Sequence, residues 1–453
     1  MNTQQSLDIR AHINGKKMSG YQWLLLGLCF LIVATDGIDV AIMGFLAPDI
    51  IKELGISRAS FGLVMGAAPI GLAIGAILVG PLSDRFGRKK PLMTAVFLFG
   101  LFNLLSAYTH SLTELAVLRF LTGLGLGAAM PITTTLLSEY VPEKNRSSLL
   151  AFMFTGFGLG SAVVGFAAAA LLPEHGWRFV MKLGGVIPLV CLPIYLWLIP
   201  ESVQFMVVKK AKAEKIARTL GRVLGGNYSQ YRQYEISERQ AQGKSPVTAL
   251  LSGSSRNLTL SLWVTYFMGL LVIYLLSGWL PTLMKDAGLP ISRAANLTAL
   301  FQLGGTVGAL VVGFYMDRWT PNKVIATAYL GGAVFVLLLA FGGLHSEWLG
   351  VFILLAGFCM SGAQTGMNAF APSCYPTSYR ATGVSWMLGI GRFGSIFGSA
   401  FGGLLLSMGL GFGAVVAVLA IPAAIAGLTI MRGKIAIRPA APPEAAVNLR
   451  RST

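Results

Sequence analysis

The chain has 453 residues, 55% of them hydrophobic and only 12% charged, with 55 glycines and a formal net charge of +17. A soluble globular domain carries about 25% charged residues, so this composition excludes one. The cations are not gathered on one module as a nucleic-acid face requires; they punctuate apolar runs and so carry topology information.

A polar segment, 1–20, opens the chain without a small-residue cleavage site, so the first apolar run is expected to be retained. That run, 21–47, contains Asp36-Gly-Ile-Asp39. A helix needs about 20 residues to span the hydrocarbon, which puts both acids near or a little beyond its middle. A carboxylate there costs roughly 2.5 kcal/mol or more and normally faces a wet path or a partner. The competing reading leaves the acids among headgroups, although apolar residues continue after Asp39. Further runs fall at 60–82, 91–109, 115–138, 148–171 and 180–199, then at 257–283, 293–316, 323–343, 347–370, 382–406 and 411–432. These predict an all-α membrane protein of twelve transmembrane helices. The even number puts both termini on one side. Arg85, Arg88, Lys89, Lys90, Lys144, Arg146, Lys323 and Arg380 share that side, so it is read as cytoplasmic.

The organisation expected is an N-terminal segment 1–20, a six-helix bundle 21–199, a linker 200–256, a second bundle 257–432 and a tail 433–453. In the linker Ile216, Leu220 and Leu224 recur every fourth residue, and Glu214 stands four before Arg218. This reads as a short amphipathic helix along the cytoplasmic surface, or else as a regulatory arm. Gly80-Pro-Leu-Ser-Asp84-Arg85-Phe-Gly87-Arg88 after the second run aligns with Gly313-Phe-Tyr-Met-Asp317-Arg318 after the eighth, on the same side. Tyr140-Val-Pro142 with Arg146 is echoed by Tyr375-Pro376 with Arg380. The repeat is therefore parallel, six helices plus six, with a site expected between the bundles near the midplane.

Gly80 to Lys90 resembles the loop signature of the major facilitator superfamily, G-x-L-x-D-R-x-G-R-K. Arg119 with Gly123 and Gly127 resembles that superfamily's second motif, and Pro200-Glu201-Ser202 its sequence after helix six. A narrower resemblance rests on Asp36 to Asp39 with Gly44 to Pro48, on Leu137 to Tyr140, and on Arg380 to Gly394. Those stretches are similar to the aromatic acid:proton symporter family, whose members take up benzoate-type anions such as 4-hydroxybenzoate and protocatechuate. The resemblance marks Asp36, Asp39, Asp84, Arg119, Glu139, Asp317, Arg380 and Arg392 as the important charges. It departs at Asn322, where close relatives often carry His.

Four residues are expected in proton coupling: Asp36, Asp39, Arg119 and Glu139. Arg119 either snorkels to the surface or reaches a helix-one carboxylate. Arg392, inside an apolar run, either binds a substrate carboxylate or pairs with an acid of the protein. Trp386 and Tyr274 are candidate stacking faces, as are Trp279, Phe45 and Phe154. Gln364 and Asn368 share a helix face and meet either a ring hydroxyl or a neighbouring helix. The residues Gly80, Asp84, Arg85, Gly87, Arg88, Asp317, Arg318 and Arg380 are expected to gate the conformational change, with Glu201 in the same latch. Gly156, Gly160 and Gly165 read as a packing seam, while Gly394, Gly398 and Gly402 make room for a ring or for a helix.

Cys29, Cys191, Cys359 and Cys374 lack metal spacing, and His12, His110, His175 and His345 lie in loops or termini. No cofactor, metal or nucleic-acid partner is therefore expected, and no enzyme. The reading is a monomeric inner-membrane carrier, its partners an aromatic acid anion, protons and the bilayer. Proton symport of a non-aromatic acid, export by proton antiport, and a non-transporting receptor stay open beside it.

Overall fold

The computed structural model describes residues 6–236, 250–251, 255–342, 346–375 and 380–432. Within them the chain is helical apart from two short strands. Strand β1 (Ser6–Asp8) and helix α1 (Ile9–Gly15) precede the first bundle. That bundle holds α2 (Gly20–Leu54), α3 (Arg58–Phe86), α4 (Lys89–Ser106), α5 (Leu112–Tyr140) and α6 (Arg146–Leu198). The long α6 is two spans joined at Gly176, whose φ of 72° breaks the helix between the runs expected at 148–171 and 180–199. Helices α7 (Val203–Val208) and α8 (Ala213–Leu224) and strand β2 (Gln233–Glu235) form the linker. The second bundle comprises α9 (Ser255–Asp286), α10 (Ile291–Met316), α11 (Pro321–Phe341), α12 (Leu349–Cys374), α13 (Arg380–Ser407) and α14 (Phe412–Arg432). Counting α6 twice, twelve spans stand in two groups of six, the architecture that the apolar runs predict.

Local chemistry sets the helix limits. Ser19 and Gln22 form a capping box at the start of α2, and Gly55, at φ 61°, ends it in the left-handed region. The helix continues through Pro48 to Leu54, further than the apolar run implied, which centres Asp36 to Asp39 along its length. At the α6 corner, Arg178 donates to Glu53 at 2.8 and 3.1 Å and to the carbonyls of Ala107 and Thr109 at 2.8 and 2.9 Å.

The internal repeat is visible in how glycines let backbones touch. On α3, a methyl added at Gly71 or Gly75 would fall 2.1 or 2.2 Å from a backbone oxygen of α5. On α10, Gly304 and Gly308 meet α12 carbonyls at 2.1 and 2.0 Å in the same sense. These pairs stand at the offset that relates Gly80 to Gly313. Gly156 and Gly160 of α6 pack on α2, and Gly394 and Gly398 of α13 pack on α9, so the seam in each bundle is helix packing. Gly402 makes room for a ring of the protein itself, since a methyl there would fall 2.3 Å from the indole of Trp279.

The two bundles touch at mid-depth and at the end away from the N-terminal segment. Gly44 of α2 faces the Ser277 carbonyl, Gly62 of α3 faces that of Ala400, and Gly165 of α6 faces Ala299. Two ion pairs cross the same end, Lys285 to Asp49 at 2.6 Å and Arg58 to Asp286 at 2.7 Å. Toward the opposite end, Gly80, Gly313 and Gly389 have no neighbouring side chain or foreign backbone within 4 Å. These glycines face open space at the end that carries the N-terminal segment.

That end of the first bundle bears a small cap. Strands β1 and β2 pair in parallel, joining residues 6–8 to the linker. Arg10 donates to the carbonyls of Ser138, Glu139 and Val141 at 3.2 to 3.3 Å, neutralising the last turn of α5. Ile216, Ala217, Leu220 and Val223 of α8 are buried with Ile9 and Ile13. The amphipathic helix expected in the linker is present, but its apolar face covers protein rather than lipid.

Candidate transport site

The DGID turn of α2 sends its two acids to different surroundings. Gly37 sits so close to α6 that a methyl there would fall 2.1 Å from the Phe157 carbonyl oxygen. Ser161 of α6 also donates to the Gly37 carbonyl at 2.9 Å. This contact fixes the rotation of α2. Asp39 turns into its own bundle, where Arg119 of α5 donates to both carboxylate oxygens, at 3.0 and 2.9 Å. Arg119 also donates to Asn103 of α4 at 3.2 Å. Arg119 is 2% exposed and Asp39 1%, so the arginine does not snorkel.

Asp36 is as buried, at 2% exposure, but its Oδ1 has no hydrogen-bond partner. Its charged neighbours are Asp39 on the same helix and Arg392 across the bundles. Arg392 is partly buried within α13, and among the described residues no carboxylate lies within ion-pair distance of it. The Tyr274 hydroxyl of α9 approaches the Arg392 guanidinium. Next to it, Tyr266 donates to Asn368 of α12 at 2.8 Å, and Tyr329 of α11 donates to Gln364 at 2.7 Å. An acid of one bundle therefore faces a cation set among phenols and amides of the other. Such a site suits a small anion with an aromatic body and polar substituents.

Four expectations need correction. Glu139 does not join Asp36 and Asp39: it ends α5, while Arg119 begins it, and about 1.5 Å per residue holds them roughly 30 Å apart. Its carboxylate instead pairs with Arg88 at 3.3 Å and accepts from Ser202. Trp386 is 42% exposed and stacks on Trp263, with ring centroids 5.8 Å apart. It shares a stripe with exposed Phe393 and Phe397, and at about 100° per residue that stripe lies a third of a turn from Arg392. Trp279 and Phe45 are fully buried, the indole donating to the Ser399 carbonyl at 2.7 Å, so neither offers a free face. Phe154 remains 36% exposed.

The signature loop forms a second cluster at the end that carries the N-terminal segment. Glu201 accepts from the backbone N–H of Arg88 at 2.7 Å and of Lys89 at 3.2 Å, capping α4. Gly87 has φ 93°, and a methyl there would strike the Glu201 carboxylate at 2.4 Å, so both conformation and space call for glycine. Arg85 lies over the Phe86 ring and Arg318, its counterpart, over Phe314. Asp317 caps the end of α10 and is exposed. The side chains of Asp84 and Arg380 lie outside the described residues. Tyr266, Tyr329, Asn103 and Arg10 escaped sequence reasoning; a buried tyrosine in a membrane run has no signal that separates it from an interface-belt tyrosine.

Two six-helix bundles that bring a buried acid of one toward a cation of the other are the architecture of a membrane transporter. The chain belongs to the Major Facilitator Superfamily, whose profile matches residues 28–343 and 262–451. It is 54% identical to the gallate transporter of Pseudomonas putida, covering 94% of each chain. It is 48% identical to the 4-hydroxybenzoate transporter PcaK of Pseudomonas aeruginosa, over 94% of this chain and 96% of that one. The inward open structure of the xylose transporter XylE from E. coli superposes with a TM-score of 0.73, at 17% identity, over 93% of this chain and 98% of that one. That last likeness concerns the fold alone. The family is one of transporters rather than enzymes.

Proposed function

We propose that this protein imports a hydroxylated benzoate-type anion together with protons across the inner membrane, with both termini cytoplasmic. The observation that carries the reading is the Arg392 guanidinium, partly buried in mid-helix with no carboxylate within ion-pair distance among the described residues. A guanidinium at membrane depth is costly unless an anion meets it, and a carboxylate does so with two parallel hydrogen bonds. The relatives named for gallate and 4-hydroxybenzoate support an aromatic body for that anion.

Asp36 is the proton carrier in this reading, because Asp39 is already neutralised by Arg119. In this reading a cleft between the bundles opens to the cytoplasm, and the pairs Lys285–Asp49 and Arg58–Asp286 close the periplasmic side. Rocking the bundles breaks those pairs and exposes Asp36 and Arg392 to the periplasm. A proton on Asp36 removes a buried charge, the anion neutralises Arg392, and the loaded carrier returns inward. Arg88, Glu139 and Glu201 lock the loop on one bundle through that motion.

Purified protein in proteoliposomes, given labelled 4-hydroxybenzoate and an acidic exterior, tests the proposal. Accumulation that a protonophore abolishes is expected, with competition by gallate and benzoate. Efflux driven by the same gradient would identify an exporter, and competition by aliphatic acids alone would remove the aromatic substrate.

A further inference from the structure

We propose that Gln364 and Tyr266 form a subsite that reads a ring hydroxyl, and that Tyr329 is the positioning residue that sets its polarity. The proposal rests on the reading of Arg392 as the carboxylate anchor and adds what the site demands at the other end of the substrate.

Gln364 is 7% exposed, and its amide oxygen accepts from Tyr329 at 2.7 Å. Tyr329 is fully buried, so its hydrogen needs an acceptor. Of the two ends of the Gln364 amide, only the oxygen can serve. Gly269 of α9 leaves the space for this arrangement: a methyl there would fall 2.2 Å from the Gln364 oxygen and 2.5 Å from the Tyr329 hydroxyl. The amide orientation is therefore set from behind. Its nitrogen approaches the Tyr266 hydroxyl without meeting hydrogen-bond geometry and has no partner among the described residues. Tyr266 has given its hydrogen to Asn368 at 2.8 Å, which leaves its oxygen free to accept. Tyr266 also lies within electrostatic reach of Arg392 and Tyr274, so the subsite adjoins the anchor.

One N–H donor and one phenol acceptor stand side by side. A ring hydroxyl satisfies both at once, accepting from Gln364 and donating to Tyr266. An unsubstituted ring satisfies neither, and a methoxy group satisfies only the donor. Sites that hydrogen-bond a hydroxyl reject analogues lacking it far more strongly than apolar pockets discriminate by shape.

Binding of benzoate, 4-hydroxybenzoate and 4-methoxybenzoate to the purified full-length protein, measured by calorimetry, tests the assignment. The hydroxylated ligand is expected to bind the unmodified protein more tightly than the other two. Gln364→Leu should weaken 4-hydroxybenzoate by roughly tenfold or more while benzoate shifts by less than about twofold. Tyr329→Phe, which touches no ligand, should narrow the same preference by freeing the amide to turn. Equal losses for benzoate and 4-hydroxybenzoate in Gln364→Leu, an unchanged preference, or equal affinity for the methoxy and hydroxy acids would overturn the subsite. Arg392→Gln separates the two readings: if it keeps its benzoate affinity, the anchor fails, whatever Gln364→Leu does to the preference.

Discussion

Arg119 holds both carboxylate oxygens of Asp39, at 3.0 and 2.9 Å, across α2 and α5 of one bundle. Asp36, less than a turn earlier on the same helix, has an oxygen with no partner. Removing one member of a buried pair strands the other and costs about 3–5 kcal/mol, more than the pair itself contributes. Asp39→Asn should therefore lower the thermal unfolding temperature in detergent, and Asp39→Asn with Arg119→Gln should recover part of the loss. An Asp39→Asn protein as stable as the unmodified one would show that the pair carries no such weight.

The ion pairs that join the bundles are partly exposed, with side chains 27 to 43% accessible. Such pairs contribute up to about 1 kcal/mol each, enough to shift a two-state balance roughly fivefold. Lys285→Ala and Arg58→Ala should favour the state open at that end. Distances between spin labels at the tips of α2 and α9 report it. The swap Asp49→Lys with Lys285→Asp should restore the starting distribution, and unchanged distances in the single variants would deny the pairs a gating role.

Glycines divide sharply by what surrounds them. A methyl at Gly37 or Gly160 would fall 2.1 or 2.0 Å from a backbone oxygen of the facing helix. Gly37→Ala and Gly160→Ala should each destabilise by about 1–3 kcal/mol, through forced separation of α2 and α6. Gly313→Ala meets nothing within 4 Å and should leave unfolding unchanged. Thermal unfolding of the three variants in one detergent checks the contrast, and equal shifts would contradict it.

The fold was legible because twelve apolar runs and a loop repeated at one offset leave few architectures. The site was legible in part. A carboxylate or guanidinium inside an apolar run announces itself by its cost, which is how Asp36, Asp39, Arg119 and Arg392 stand out. Which acid meets Arg119 does not follow from spacing, because it depends on the rotation of α2 that the Gly37–Phe157 contact sets. Trp386 shows the opposite failure: an aromatic near Arg392 in sequence turns to Trp263 and the exposed stripe. Resemblance groups Glu139 with the charges of proton coupling, although its place at the end of α5 assigns it to Arg88. Tyr266 and Tyr329 had no sequence signal, since only the packed structure reveals what their hydroxyls touch.

Everything proposed for transport depends on Asp36 being the group that takes up the driving proton. Asp36→Asn, reconstituted beside the unmodified protein, separates coupling from binding. The account predicts that this variant still exchanges labelled 4-hydroxybenzoate for unlabelled at equal pH but no longer accumulates it against a gradient with an acidic exterior. Accumulation by Asp36→Asn at the unmodified level would contradict the account.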